Sequence, residues 1–321
     1  MHPPPLSHDP NAVSAEHPLD VLRFAISQIQ QGKKCALAML TDTVGGAVRA
    51  RGAIMAISEN GNRCGYLSGG CVDADIVAQA QAALQNNQHK TLRYGQGSPF
   101  IDIVLPCGGA IEVTIFAAPS LSHMTEVAGQ LEARSTAKLN MRDETRTITV
   151  DYFPKLRVRI AGRSADPIAL ARACIAAGIE TELWSADGDV LSIAASMPNL
   201  QTLALDTPSS LPPTHDDPQT AFVLMMHDNE WEMALLQQAL AGPAFYIGAV
   251  GSPMTHKTRC QALRSVGVPQ TDIERIHGPI GLVPSLRDAS MLAISTLAEI
   301  INMFPNAHSV FIAAKKEHTH V

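Results

Sequence analysis

The sequence predicts an α/β chain of two domains: an α+β domain first, then a domain with a mostly parallel sheet covered by helices. Three observations lead there. The chain has 321 residues, which fits two domains better than one. Its first part sets short apolar runs between glycine-rich turns, the grammar of mainly local strand pairing. From Lys155 onward strands and helices alternate, the grammar of a parallel sheet.

In the first part, Asp20–Gln31 places Val21, Leu22, Ala25, Ile26 and Ile29 on one helical face, with Asp20 as N-cap and Gly32 as stop. Cys35–Thr41 is a buried strand and Ala53–Ser58 a second. Glu59–Asn62 carries the Asn-Gly signal of a tight hairpin, leading into a strand at Arg63–Leu67. Val72–Gln85 is alanine-rich and helical, and strands follow at Ile101–Leu105 and Ile111–Ala117. A helix over Met124–Ala137 and a strand over Thr147–Phe153 are expected to bridge the domains. In the second part the strands are Arg157–Ala161, Glu180–Trp184, Leu200–Ala204, Ala221–Met226 and Phe245–Val250. The helices are Pro167–Ala177, Glu230–Ala241, Met254–Val266 and Ala289–Met303. The expected boundaries are a flexible lead at 1–18, a first domain at 19–118, a bridge at 119–154, a second domain at 155–305 and a frayed tail at 306–321.

Composition excludes several classes. Apolar residues make up 46% and charged residues 17%, enough for a core and contrary to wholesale disorder. Aromatics are 4%, so aliphatic side chains fill that core. A net charge of −6 without a basic run does not suit nucleic acid or an anionic membrane surface. No apolar stretch reaches the ~18 residues of a spanning helix. The opening residues lack both a basic start and an apolar stretch, so no secretory signal is read there and a cytoplasmic location is expected. Six cysteines spread through such a chain point to buried thiols, ligands or redox chemistry, not a disulfide framework.

Three glycine-bearing loops in the first domain carry candidate chemistry. Ser68-Gly69-Gly70-Cys71 opens a helix, where unpaired N–H groups attract an anion and lower a thiol pKa. Asp73 and Asp75 in the first turn repel anions, and a glycine turn with a buried Cys explains the motif equally. Pro106-Cys107-Gly108-Gly109 repeats the pairing of one Cys with two glycines. It is otherwise an ordinary hairpin; convergence of the two loops would suit one soft-metal or sulfur-bearing ligand. The third runs from Thr43 to Gly52, where Arg49 and Arg51 among glycines suit a phosphate or another anion. A solvated turn is the alternative.

The second domain is less explicit. A dinucleotide fingerprint needs G-x-G-x-x-G after its first strand. Only Gly162 fits, with Ser164 and Pro167 in the places of the other glycines. Asp187 lies at a distance compatible with a ribose. His227 and Asp228 follow a strand at the edge where such sheets bind ligands, and Gly251-Ser252 end the next. Packed or solvated roles explain these residues as well. Metalloprotease, P-loop, nucleophile-elbow and paired C-x-x-C motifs are missing from the sequence.

With those residues in view, the sequence resembles the XdhC/CoxI family. G-G-A-V-R-A-R-G-A-I-M-A-I, G-Y-L-S-G-G-C-V-D and L-P-C-G-G look like its amino-terminal domain. M-H-D, Y-I-G-A-V-G-S, G-P-I-G-L and A-I-S-T-L-A-E-I-I look like its carboxyl-terminal Rossmann-like domain, in matching order. The resemblance spans Val21 to Met303. It implies an accessory chaperone that binds the molybdenum cofactor, as molybdopterin or its cytosine dinucleotide, supports its sulfuration and inserts it into a xanthine-oxidase-family molybdoenzyme.

On that implication Cys71 and Cys107 are the metal- or sulfur-facing thiols, with Ser68, Gly69, Gly70, Gly108 and Gly109 admitting the cofactor. Arg49 and Arg51 meet its anionic tail. A second-domain ligand site would use His227, Asp228, Gly251 and Ser252. The implied partners are a target molybdenum hydroxylase, a cysteine desulfurase, a cofactor nucleotidyltransferase and a second copy of the chain. A carrier needs no catalytic residues. The family's G-A-G-H-V turn stands here as Gly162-Arg163-Ser164-Ala165-Asp166, its Thr-His as Met226-His227, and its D-I-G-A as Val283-Pro284-Ser285-Leu286. An NAD(P)-dependent oxidoreductase and a plain assembly scaffold are the competing readings, and the broken fingerprint speaks against NAD(P).

Overall fold

A computed structural model describes residues 16–70, 72–98, 108–304 and 312–316, the last segment as backbone. The chain divides into two compact units, Met1–Pro154 with His308–Val321, and Lys155–Ala307.

The first unit runs α1 (Pro18–Gln30), β1 (Cys35–Val44), β2 (Ile54–Ser58), β3 (Arg63–Cys64), α2 (Asp73–Asn86), β4 (Lys90–Gly95), β5 (Ala110–Phe116), α3 (Leu121–Glu132), β6 (Ala137–Arg142) and β7 (Arg146–Tyr152). Its five-stranded sheet has the order β3-β2-β1-β5-β4, and every pairing in it is antiparallel. Strand β1 is apolar on both sides because both faces of the sheet are covered. Cys35, Leu37 and Met39 face a core shared with α1, α3, β6 and β7. Ala36, Ala38 and Leu40 face the core beneath α2.

Several expectations are corrected here. Helix α1 is capped by His17, whose Nδ1 accepts the Leu19 N–H, with Pro18 opening the helix; Asp20 lies inside the first turn. His17 and Pro18 therefore belong to the fold, not to the lead. Strand β3 stops at Cys64 because Gly65, at φ +92, approaches β2 so closely that a Cβ would sit 2.5 Å from the Ile54 carbonyl oxygen. The helix expected to reach Ala137 ends at Glu132, and Ala137 begins β6. Residues 119–154, expected as a bridge, help to build the first unit's core through Met124, Leu131, Leu139, Val150 and Tyr152. The expected strand at Ile101–Leu105 lies outside the described residues. Strand β4 was not anticipated.

The second unit runs β8 (Arg157–Gly162), α4 (Ala165–Ala176), β9 (Glu180–Ser185), α5 (Gly188–Ala195), β10 (Leu200–Ala204), β11 (Thr220–Met225), α6 (Asn229–Ala241), β12 (Tyr246–Ala249), α7 (Pro253–Ser265), α8 (Gln270–Ile273), β13 (Ile276–His277) and α9 (Ala289–Met303). Its six strands are all parallel, in the order β10-β9-β8-β11-β12-β13. The chain steps outward from β8 to β10, crosses back, and steps outward again from β11. The order thus reverses between β8 and β11, the switch point at which such sheets bind ligands. Helices α4, α5 and α9 contribute to the core on one face, and α6 and α7 to that on the other. Within the sheet, the guanidinium of Arg159 is buried between the Trp184 and Phe222 rings, 4.6 and 4.3 Å from their centroids. Its Nε donates to Asp216 Oδ1 at 2.9 Å, which fastens the proline-rich loop before β11.

The tail returns to the first unit. Strand β14 (Ile312–Lys316) pairs antiparallel with β7 and completes a three-stranded sheet, so this part of the tail is not frayed.

Candidate functional site

The first unit brings the glycine loops together at one end of β1. The β1–β5 register sets Val44 opposite Ala110, so the turn after β1 meets the loop before β5. The approach is backbone to backbone. A Cβ on Gly109 would lie 2.6 Å from the carbonyl oxygens of both Val44 and Gly46, and one on Gly45 would lie 3.4 Å from Gly109 Cα. The Ser68 loop reaches the Thr43–Gly52 loop, since a Cβ on Gly69 would lie 3.8 Å from Val48 Cγ2. Gly69, Gly70 and Gly108 are exposed, as is Val48. Cys71 and Cys107 lie outside the described residues.

The loop at Ser68 is built around a carboxylate. Asp73, 1% exposed, accepts the N–H groups of Leu67 and Ser68 on Oδ1 at 3.3 and 3.0 Å. Ser68 Oγ in turn accepts the N–H groups of Gly70 and Val72 at 3.1 and 3.3 Å. Asp75 is tied elsewhere, accepting the Tyr94 hydroxyl on Oδ2 at 2.7 Å. The two acids expected to repel an anion are thus engaged by donors, and Asp73 is closed off from solvent. Sequence reasoning placed both acids in the helix and missed that Asp73 holds the loop.

The arginines hold the third loop. Thr41 is the extra residue of a β-bulge, where the β1–β5 register shifts between Leu40 and Asp42. Arg51 Nε donates to the Thr41 carbonyl oxygen at 3.1 Å and lies 3.7 Å from an Asp42 carboxylate oxygen. Arg49 is ion-paired with Glu16. The Tyr152 hydroxyl closes the loop from below, donating to the Gly52 carbonyl at 2.7 Å. Arg49 and Arg51 therefore already have acidic partners.

Thiol chemistry is quenched at two described cysteines. Burial pushes Cys35 and Cys174 up to about 12, which keeps both protonated. Burial also raises Cys260, against the opposing charges of Arg259 and Arg264. Cys35, Cys174 and Cys260 are free thiols. Among the described residues, no cluster of three or more His, Cys, Asp or Glu side chains is arranged to hold a metal ion.

In the second unit, a cleft of about 320 Å³ opens at the carboxyl ends of β11 and β12, lined in part by His227, Gly251, Ser252, Pro279 and Ser285. Three of the four candidate residues meet there. Asp228 does not line it; it caps α6 by accepting the Trp231 N–H and lies 3.3 Å from Arg163. Ser252 lines the cleft and also caps α7. One cleft wall is fixed to α9, where Glu299 accepts the Gly281 N–H at 2.6 Å and Ser295 Oγ accepts that of Val283 at 2.8 Å.

The turn between β8 and α4 keeps a glycine's shape without the glycine. Ser164 sits at φ 68 and ψ −150, in a region nearly reserved for Gly, and makes no side-chain capping bond. Such a conformation costs about 1–3 kcal/mol. The missing glycine was visible in the sequence, but the retained conformation was not.

Comparison with known proteins defines the kinship. Residues 158–300 match the family profile described as the XdhC Rossmann domain, and residues 28–95 match that of the XdhC and CoxI family. The chain is 33% identical over 299 residues to the molybdenum cofactor insertion chaperone PaoD of Escherichia coli, covering 88% of this chain and 87% of PaoD. The chain belongs to the XdhC/CoxI family. A second Escherichia coli relative, the uncharacterized YqeB, is 23% identical over 90% of this chain and 47% of YqeB. A crystal structure from Bacillus halodurans, described as a xanthine dehydrogenase, superposes with a TM-score of 0.71 at 21% identity. It covers 91% of this chain and 99% of its own, and shows that the XdhC/CoxI chain shares its fold. No helix among the described residues is long and apolar enough to cross a membrane.

Proposed function

We propose that this XdhC/CoxI chain is an insertion chaperone that carries the molybdenum cofactor on the first unit and delivers it to a xanthine-oxidase-family molybdoenzyme. The observation that carries the reading is the meeting of three glycine loops at one end of β1, in a chain 33% identical to PaoD, which is itself named a molybdenum cofactor insertion chaperone. Glycine backbones admit a bulky ligand closely. The exposed backbone at Gly69, next to the start of α2, suits its phosphate, and the flanking Cys71 and Cys107 supply thiolates for a soft metal or its sulfur.

Each residue then has a task. Asp73 and Ser68 keep the α2 loop open from within. Gly109 sets its distance from the Val44–Gly46 turn. Arg49 and Arg51 fix the third loop and present positive charge to the cargo's anionic tail. A cysteine desulfurase supplies sulfur to the bound cargo, and a cofactor nucleotidyltransferase supplies any dinucleotide form. Two copies of the chain form the working dimer.

The test is molybdenum and pterin content after anaerobic purification from molybdate-supplemented cells, beside Cys71→Ser and Cys107→Ser. Near-stoichiometric metal and pterin in the parent, lost in a variant that stays folded, is the expected result. A parent without enrichment, from a host with intact cofactor synthesis, would overturn the reading.

A further inference from the structure

A second cavity, of about 560 Å³, lies on the other side of the switch point, against α4 and α5. It is distinct from the His227 cleft and from the loops of the first unit. Its lining includes Ser164 at the β8–α4 turn, Asp187 just after β9, and the apolar side chains of Ile168, Val190 and Ile193. Arg172 stands at its rim, exposed and with no ion-pair partner among the described residues.

The polar end of this cavity is tied into one piece. Ser185, fully buried, donates its hydroxyl to the Gly162 carbonyl at 2.7 Å and accepts the Asp187 N–H at 3.0 Å. The β8–α4 turn and the Asp187 backbone are thereby held together. Asp187 Oδ1 accepts the N–H groups of Asp189 and Val190 at 2.9 and 3.4 Å, and Oδ2 takes part in neither bond. A carboxylate oxygen at the end of the second strand is placed to accept a ribose hydroxyl. The apolar side chains offer a wall for a base, and Arg172, eight residues along α4 from Ser164 and so ~12 Å away, offers donors at the far end.

Ser164 limits how such a ligand can continue. A dinucleotide's pyrophosphate crosses the switch point by lying against the backbone of this turn, which is why glycine is wanted there. Ser164 holds the backbone in the glycine conformation but adds a side chain at the point of closest approach. A single phosphate, tethered at one end only, can turn outward past it.

We propose that this cavity binds a ribonucleoside monophosphate, with Asp187 on the ribose and the base against Ile168, Val190 and Ile193, and that Ser164 turns away pyrophosphate-linked dinucleotides. The site stands apart from cofactor carriage on the first unit, so either can fail without the other.

The test is calorimetric titration of the intact protein with AMP, CMP and NAD⁺, beside Asp187→Ser, which keeps a capping oxygen for α5, and Ser164→Gly. AMP or CMP should bind the parent, and Asp187→Ser should weaken that binding about tenfold or more while its melting curve stays close to the parent's. NAD⁺ should bind the parent at least about tenfold more weakly than the monophosphate and gain about tenfold in Ser164→Gly. Failure of both monophosphates to bind, or binding indifferent to Asp187→Ser, would overturn the ribose assignment. NAD⁺ bound by the parent as tightly as the monophosphate, or no gain in Ser164→Gly, would overturn the role of Ser164.

Discussion

Ser68 and Asp73 hold one loop from opposite ends: the Asp73 carboxylate accepts the Ser68 N–H at 3.0 Å, and the Ser68 hydroxyl accepts the N–H groups of Gly70 and Val72. The segment between them contains the Gly-Gly-Cys motif. An exposed glycine loop is thereby clamped by side chains that are themselves buried. The loop can present its exposed glycines to a ligand without first having to order itself.

Asp73→Ala leaves the N–H groups of Leu67 and Ser68 buried without an acceptor. A loss of about 2–3 kcal/mol is expected in urea unfolding of the first unit. Asp73→Asn keeps an acceptor oxygen and should lose less. Equal unfolding midpoints for the parent and Asp73→Ala would show that the clamp contributes nothing.

Gly109→Ala drives a methyl group against two carbonyl oxygens of the neighbouring turn. The loops must separate, at a cost of about 1–3 kcal/mol, and bound molybdenum should fall with them. Gly129→Ala, in α3 with open space around its Cβ, is the control and should be neutral or stabilise by up to about 1 kcal/mol. Unchanged metal content in Gly109→Ala would separate the loop contact from cargo binding.

Asp216→Ala strands the Arg159 cation between two aromatic rings, with both side chains of the original pair 2% exposed or less. Breaking a buried pair from one side costs about 3–5 kcal/mol. The double variant Arg159→Met, Asp216→Leu should recover much of that loss. Chemical denaturation followed by tryptophan fluorescence reads it, and a single variant as stable as the parent would contradict it.

His256 makes the second unit sensitive to acid. Burial, then the charges of Arg259 and His277, hold its imidazole below the ordinary value of 6.5. Cys260 Sγ lies 3.5 Å from Nε2, and Nδ1 is buried with no hydrogen-bond partner among the described residues. The unfolded chain therefore binds the proton first. Stability should fall as pH drops below about 6.5 and level off below the depressed folded value. His256→Gln should flatten that part of the profile, and an unchanged slope would assign the effect to other groups.

Cys35 and Cys174 should resist a disulfide reagent at pH 8 in the native protein and react only on unfolding, because both are buried and pushed up to about 12. Mass spectrometry of the labelled peptides reads each site separately. Rapid native labelling of either would contradict its burial.

What the sequence revealed depended on how completely each element is buried. The Cys35–Leu40 part of β1 and the Ala221–Met225 part of β11, covered on both faces, are unbroken apolar runs, and their positions were legible. Helix α9 showed its period equally well. Strand β4 buries only Leu92 and Tyr94, and β6 alternates buried and exposed residues over just six positions, so neither forms an apolar run. Helix α5 is eight residues long, and its cap, Asp187, drew attention only as a ribose ligand. The glycine loops were legible one at a time. Their meeting was not, because it rests on β1 pairing with β5 across some seventy residues, and a one-dimensional pattern carries no record of that register.

The return of β14 to β7 has a consequence for synthesis. The second unit interrupts the first in the linear chain, since the strand that completes the first unit's three-stranded sheet is translated after all of Lys155–Ala307. The unit that begins first is therefore finished last. Until that strand emerges, β7 presents an open edge to whatever else is nearby, so the guest must fold while its host is still incomplete.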